Sequence, residues 1–320
     1  MAVNKNKVDL WKADVARSVD FYNEWFMNFA PKAFRDTRLE TTRQVEKALK
    51  QTENLTNIRA ETLRDNPMVL PMLRMATCPP IARDRLIGLA GVNPNLVKSM
   101  EKDARVPPSM KLSLLISELE KISAIIEKMA DPDIFIWKNR GDKGSPEEVL
   151  RASTIVADRL CGSMADPIIR NAQEQRQLAS MQKWFEARGY RKLEAGEAKD
   201  WLSMPNGTFS FRFNIPVIQG DDGKQINIPV DAVIMRKDAK EGDYPALFEA
   251  KSAGDFTNTN KRRKEEAIKI HQLRNTYGEK ITFDLFLCGY FDSGYLGYEA
   301  AEGIDWVWEH RIDDLIEFGF

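Results

Sequence analysis

The chain has 320 residues, 43% of them hydrophobic and 30% charged, with a formal net charge of -1; that length suits about two domains, and the apolar content excludes an intrinsically disordered chain. Three scattered cysteines (Cys78, Cys161, Cys288) exclude a disulfide scaffold and a cysteine-rich zinc site, and two histidines (His271, His310) leave little for a histidine metal centre. The longest apolar runs, such as 283–291 with Asp284 inside it, fall short of the ~20 residues of a membrane helix, and the first thirty residues lack a secretory pattern, so a globular protein of the reduced cytoplasm is expected, with no membrane partner.

Residues 1 to about 165 read as helices. Over 8–30, Val8, Leu10, Trp11, Val15, Val19, Tyr22, Trp25, Phe26 and Phe29 recur near helical spacing, and Pro31 is expected to stop the run. A second helix begins at Thr41. Residues 83–90 and Pro94–Lys102 form a helical pair around Gly91, and Lys111–Met129 carries an apolar stripe of Leu112, Leu115, Leu119, Ile122, Ile125 and Ile126. Ser145-Pro146 is an N-cap with proline at the first helical position. The texture then changes. A helix over Pro167–Arg188, closed by Gly189, precedes strands at 209–213 and 226–234, with a turn at 219–223, and a third strand at 245–251. A basic helix over about 260–277, a buried strand at 281–290, a glycine-containing connection, a short strand at 304–308 and a terminal helix at 312–318 complete the chain. Trp306 and Trp308 share one strand face and are expected in the core. The order describes an α/β (α+β) fold in which a mixed central sheet flanked by helices follows a mostly α-helical N-terminal region. The division is expected near 150–168, giving regions 1–160 and 161–320.

The near-neutral total hides a local charge of +4 over Lys251–Lys280 beside -8 over Ile281–Phe320. Next to that basic segment stands a constellation of three residues. Pro229-Val230-Asp231 is followed, 18 residues after the aspartate, by Glu249-Ala250-Lys251. Side chains at i and i+2 of a strand share a face, so Glu249 and Lys251 project together, and a paired preceding strand sets Asp231 beside them. Two such carboxylates are not both comfortably charged without a cation between them. Hard oxygen ligands with open positions suit Mg²⁺, which keeps several waters and binds phosphate. Lys251 beside the ion holds and polarises the attacking water or neutralises charge developing on phosphorus, and the chemistry is metal-assisted phosphodiester hydrolysis. Taken alone, a Glu-x-Lys at a strand end is more often a solvated pair. The aspartate one strand earlier and the basic run Lys261-Arg262-Arg263-Lys264, where a phosphate backbone can lie, favour the nuclease.

This arrangement resembles the PD-(D/E)XK nuclease superfamily, although Val230 separates the proline from the aspartate. Longer strings are similar to the XamI-type restriction endonucleases: 10–14 (LWKAD), 82–92 (ARDRLIGLAGV), 258–267 (NTNKRRKEEA) and 294–306 (GYLGYEAAEGIDW). The resemblance spans nearly the whole chain. It implies a Type II enzyme that cuts double-stranded DNA at a short palindrome, GTCGAC being the target linked to the family's namesake, with Mg²⁺ as cofactor and a nuclease core over 161–320. A palindrome favours a homodimer, each subunit reading one half-site. The cognate DNA methyltransferase acts on the same site and need not bind. In many members of the superfamily a glutamate from the helix before the strands reaches the metal; Glu174 is the candidate, against a plain surface glutamate.

Further DNA contacts are sought in two places. Asn258 and Asn260 read adenine edges or cap the basic helix, on which Lys261, Arg262, Arg263 and Lys264 are consecutive and cannot all face one duplex. The pair around Gly91 has helix-turn-helix offsets, with Asn93, Asn95 and Lys98 toward bases or phosphates, or is an ordinary helical hairpin. Two readings remain beside the restriction enzyme. One is a structure-directed repair nuclease with the same core, the other a non-catalytic DNA-binding regulator.

Overall fold

The computed structural model describes every residue except 1, 195, 220–222 and 258, and of 260–263 the backbone alone. In chain order the elements are α1 (Val8–Gln51), α2 (Ala60–Asp65), α3 (Leu70–Met75), α4 (Arg83–Ala90), α5 (Pro94–Lys102), α6 (Leu112–Met129), α7 (Ile136–Arg140), α8 (Pro146–Ala187), β1 (Arg191–Lys192), β2 (Thr208–Gln219), β3 (Lys224–Met235), β4 (Ala246–Ala253), α9 (Thr259–Tyr277), β5 (Phe283–Gly289), α10 (Ser293–Ala301) and β6 (Trp306–Trp308), then a 3-10 segment over Glu309–Ile316. The chain divides into two compact units, Ala30–Ile169 and Met1–Phe29 with Arg170–Phe320.

The first unit is helical. Its core gathers Val45, Leu49, Leu70, Leu73, Leu96, Leu119, Ile122, Trp137, Val156 and Leu160. On α6 the stripe Leu115, Leu119, Ile122 and Ile126 is buried, whereas Leu112, the first helical residue, is exposed. Ser145 starts α8 as a capping box: its hydroxyl accepts from Glu148 N–H, and the Glu148 carboxylate accepts from Ser145 N–H at 2.8 Å. Two prolines do not end their helices. α1 runs through Pro31 and α8 through Pro167. Each removes one hydrogen bond to the carbonyl four residues back, on Met27 and Ser163, and both residues are exposed, so the loss falls at the surface.

The second unit holds a six-stranded mixed sheet in the order β1-β2-β3-β4-β5-β6. β2, β3 and β4 are antiparallel neighbours, and β1–β2, β4–β5 and β5–β6 are parallel. Alternation along the strands divides the core in two. Leu247, Leu285, Leu287, Trp306 and Trp308 meet Ile270 and Leu273 of α9 and Leu296 of α10; Phe209, Ile234, Phe248, Phe286 and Val307 meet Leu178, Met181 and Phe185 of α8. Trp306 and Trp308 thus share a face, as their spacing predicts. The expected glycine connection after β5 is instead largely α10, which starts on Asp292, whose carboxylate accepts from Tyr295 N–H. Gly294 and Gly297 lie inside that helix rather than in a turn. The expected terminal helix is the 3-10 segment, broken at Arg311.

Candidate active site

β3 and β4 bring the three predicted residues together. Their ladder pairs Ile234 with Ala246, Val233 with Leu247 and Ala232 with Phe248, and there it stops. One step further, the same register sets Asp231 across from Glu249. From Glu249 to Ala253, β4 keeps its parallel partner β5 while β3 has parted from it. The N–H that β3 no longer uses, that of Ala250, donates to Asp231 Oδ2 at 2.9 Å. The carboxylate therefore sits in the opening between the strands.

Glu249 is 7% exposed. Its Oε1 accepts from Lys251 at 3.2 Å and from Lys269 at 2.7 Å. Lys269, on α9, also donates to the carbonyl of Pro229 at 3.0 Å. Lys251 lies in addition 3.0 Å from Oε1 of Glu266, a carboxylate of α9 that is only 1% exposed. Behind the lysine, Gln177 of α8 donates to the carbonyls of Lys251 at 3.2 Å and Phe286 at 3.0 Å, which fixes β4 against β5.

The electrostatics follow from this crowding. Burial, reinforced by the charge of Glu249, pushes Asp231 up to about 6, against the pull of the Ala250 N–H; Glu174 adds to the rise. Burial alone would lower the Lys251 pKa, but Glu249 and Glu266 outweigh it and hold the ammonium charged. Burial raises Glu266, with Lys251 opposing. Burial, and then the charge of Glu266, pushes Glu299 of α10 up to about 8; this carboxyl is completely buried.

Among the described residues no group of three or more His, Cys, Asp or Glu side chains gathers as a metal cage. A two-carboxylate site for a hard divalent ion nevertheless fits what is present. Glu249 Oε2 is buried without a hydrogen-bond partner, and the Asp231 carboxylate beside it is pushed up to about 6 by burial and by Glu249. An ion that keeps most of its waters needs only one or two carboxylates.

Glu174 is ion-paired with Arg212, its Oε1 accepting from Nε at 3.1 Å and Nη2 at 3.0 Å. Asn93 caps α5, accepting from Asn95 N–H at 2.8 Å, and Asn93, Asn95 and Lys98 are exposed while Leu96, Val97 and Met100 are buried. Gly91 between α4 and α5 is left-handed, φ 59°, as the helical pair requires. Asn258 lies outside the described residues. Asn260, Lys261, Arg262 and Arg263 belong to the first turns of α9, and Lys264 is exposed. His271 is on the surface, 3.0 Å from Glu302. Sequence reasoning missed Glu266, Lys269 and Gln177. The available signal was the phase of α9: Glu266 precedes Ala267, Ile270 and Leu273 on the buried stripe, and a charge there needs a partner.

The model of the XamI restriction endonuclease family matches residues 53–308. The chain is 53% identical over 313 residues to the Type II restriction enzyme SalI of Streptomyces albus G, covering 98% of each protein. No solved structure matches.

Proposed function

Since the chain belongs to the XamI restriction endonuclease family and is thus a Type II site-specific deoxyribonuclease, we propose that it hydrolyses DNA at the Asp231–Glu249–Lys251 site, with GTCGAC as its target and Mg²⁺ as its cofactor. Membership of that family sets aside the repair nuclease and the regulator. The observation that carries the site is the parting of β3 from β4, which places Asp231 beside Glu249 with Lys251 in contact at the strand end.

Asp231 and the unpartnered oxygen of Glu249 would hold the ion. When bound, it supplies Lewis acidity toward the phosphate and a water of lowered pKa. Lys251, kept protonated by two carboxylates, acts as a donor and not as a base: it orients the attacking water and offsets the negative charge that develops on the phosphate oxygens. Lys269 holds Glu249 from the other side and ties it to the Pro229 carbonyl, so the carboxylate is fixed before substrate arrives. Exposed Lys264 and its basic neighbours on α9 follow β4 directly and supply sequence-independent attraction for the phosphate backbone. Asn93, Asn95 and Lys98 on the exposed face of α5 are a further DNA surface. The enzyme acts in the cytoplasm as a homodimer, matching a palindrome, beside a methyltransferase that protects the same sequence.

Digestion of phage DNA with Mg²⁺, an EDTA control and sequencing of the fragment ends tests this. Discrete fragments ending in GTCGAC are expected, and Asp231→Asn abolishes them. Cleavage that survives EDTA, or that survives Asp231→Asn, overturns the site.

A further inference from the structure

Arg212 stands in the middle of β2 with φ 57°, a conformation that side chains other than glycine rarely adopt. The other non-glycine residues with positive φ among those described, Glu53, Asn54, Leu55 and Ala104, all follow helix ends, where a left-handed turn is ordinary. Arg212 alone interrupts a strand. The ladder to β3 pairs Phe211 with Ala232 and Phe213 with Val230, so the position skipped between them falls across from Asp231. The distorted residue and the candidate metal ligand are thus neighbours on adjacent strands.

The ion pair that Arg212 makes does not account for the strain. Both donated hydrogen bonds go to one oxygen of Glu174, and the two side chains are 60% and 36% exposed. Exposed pairs of this kind add little to stability. Strain that local contacts do not repay is retained where function requires the geometry. The guanidinium is planar and permanently charged, matches a phosphate with two parallel donors, and is held loosely at the solvent edge one strand from Asp231.

We propose that Arg212 is a catalytic residue: its guanidinium passes from Glu174 to a nonbridging oxygen of the DNA phosphate addressed by Asp231 and Glu249. The inference rests on the Asp231–Glu249–Lys251 site proposed above. Glu174 is then the resting partner of the arginine rather than a ligand of the ion, and it presents the guanidinium on the side from which the phosphate arrives. The contact adds positive charge where the reaction concentrates negative charge, and no proton need be exchanged.

Arg212→Gly separates the side chain from the backbone, because glycine adopts the same φ without strain. Single-turnover cleavage of duplex DNA at saturating enzyme, equilibrium DNA affinity and thermal unfolding are measured for the full chain and for Arg212→Gly, Arg212→Lys and Asp231→Asn. Arg212→Gly is expected to unfold at the wild-type temperature or above it, to bind DNA within about tenfold of wild type, and to cleave at least about 100-fold more slowly, the scale of losing one charge-stabilising donor. Arg212→Lys keeps a charge and is expected to retain part of the rate. Wild-type cleavage by Arg212→Gly overturns the proposal, as does a fall in rate matched by a fall in unfolding temperature, which would make the arginine structural. If Asp231→Asn itself cleaves normally, what fails is the site on which the proposal rests.

Discussion

Replacing Lys251 with methionine tests the buried ion network apart from catalysis. Lys251 is 3.2 Å from Glu249 and 3.0 Å from Glu266, with its side chain 17% exposed. Without it Glu249 keeps Lys269 at 2.7 Å, but Glu266 retains no ion-pair partner among the described residues. Stranding one buried charge costs about 3–5 kcal/mol, and protonation of Glu266, already pushed upward by burial, holds the loss to the lower end, about 3 kcal/mol. That corresponds to a fall of about 4–5 °C in unfolding temperature at pH 8 for a protein of this size. The sign with pH is fixed. Glu266 titrates higher in the folded variant than in the unfolded chain, so the variant is best off at low pH and loses stability as pH rises through the raised value; its deficit against wild type narrows toward pH 5. Adding Glu266→Gln to Lys251→Met removes the stranded charge and is expected to restore most of the loss. Thermal melts of the three proteins at pH 5, 7 and 8 check this. A single variant that melts within about 2 °C of wild type at pH 8, or a double variant no better than the single, refutes the reasoning. The double variant is also the proper folded reference for an enzyme lacking the Lys251 ammonium.

Glu299, held up to about 8 first by burial and then by Glu266, is neutral at pH 7, so stability falls as pH rises through 8; urea midpoints from pH 7 to 9 should flatten in Glu299→Gln. Mg²⁺ is expected to raise the unfolding temperature of the wild type and to leave Asp231→Asn unmoved, because binding to the folded state alone stabilises it. Two glycines should separate clearly in denaturant titrations. Gly289, φ 99°, has the Ala253 carbonyl oxygen where a Cβ would go, so Gly289→Ala unfolds the protein or costs more than about 3 kcal/mol, whereas Gly91, φ 59°, faces open space and Gly91→Ala costs about 1 kcal/mol.

What could be read in advance had a local cause. Glu249 and Lys251 were placed together by the two-residue period of a strand, and Asp231 came beside them on the condition that the preceding strand pairs with theirs, which β3 and β4 do. Trp306 and Trp308 followed the same rule. The misreadings arose where tertiary surroundings overrule a local preference. Pro31 and Pro167 each cost their helix one hydrogen bond, at the exposed residues Met27 and Ser163, and both helices run on through them. Gly294 and Gly297 suggested a glycine-containing connection, yet both lie inside α10, which Asp292 caps. Glu266 and Lys269 looked like solvated charges of a basic helix, because nothing in α9 itself says which of its charged faces turns toward β4. Arg212 carried no signal in the sequence, since an αL residue inside a strand is normally announced by glycine or asparagine.

The residues around Glu249 also suggest why cation and DNA should depend on each other. Two buried carboxylates, Glu249 and Glu266, and the half-buried Asp231 face two ammoniums, Lys251 and Lys269, which leaves one negative charge in excess when Asp231 is ionised. Burial first, and then the charge of Glu249, raises the Asp231 pKa, so further positive charge at this carboxylate is favourable. A divalent ion alone overshoots, turning the excess into one positive charge. A phosphodiester alone doubles the negative charge and is repelled. Together, ion and phosphodiester bring one net positive charge and cancel the deficit, so each is held better in the presence of the other. On the proposed site, ion and phosphodiester are thus held better together than singly, and the rise in unfolding temperature with Mg²⁺ is expected to be larger when DNA is present.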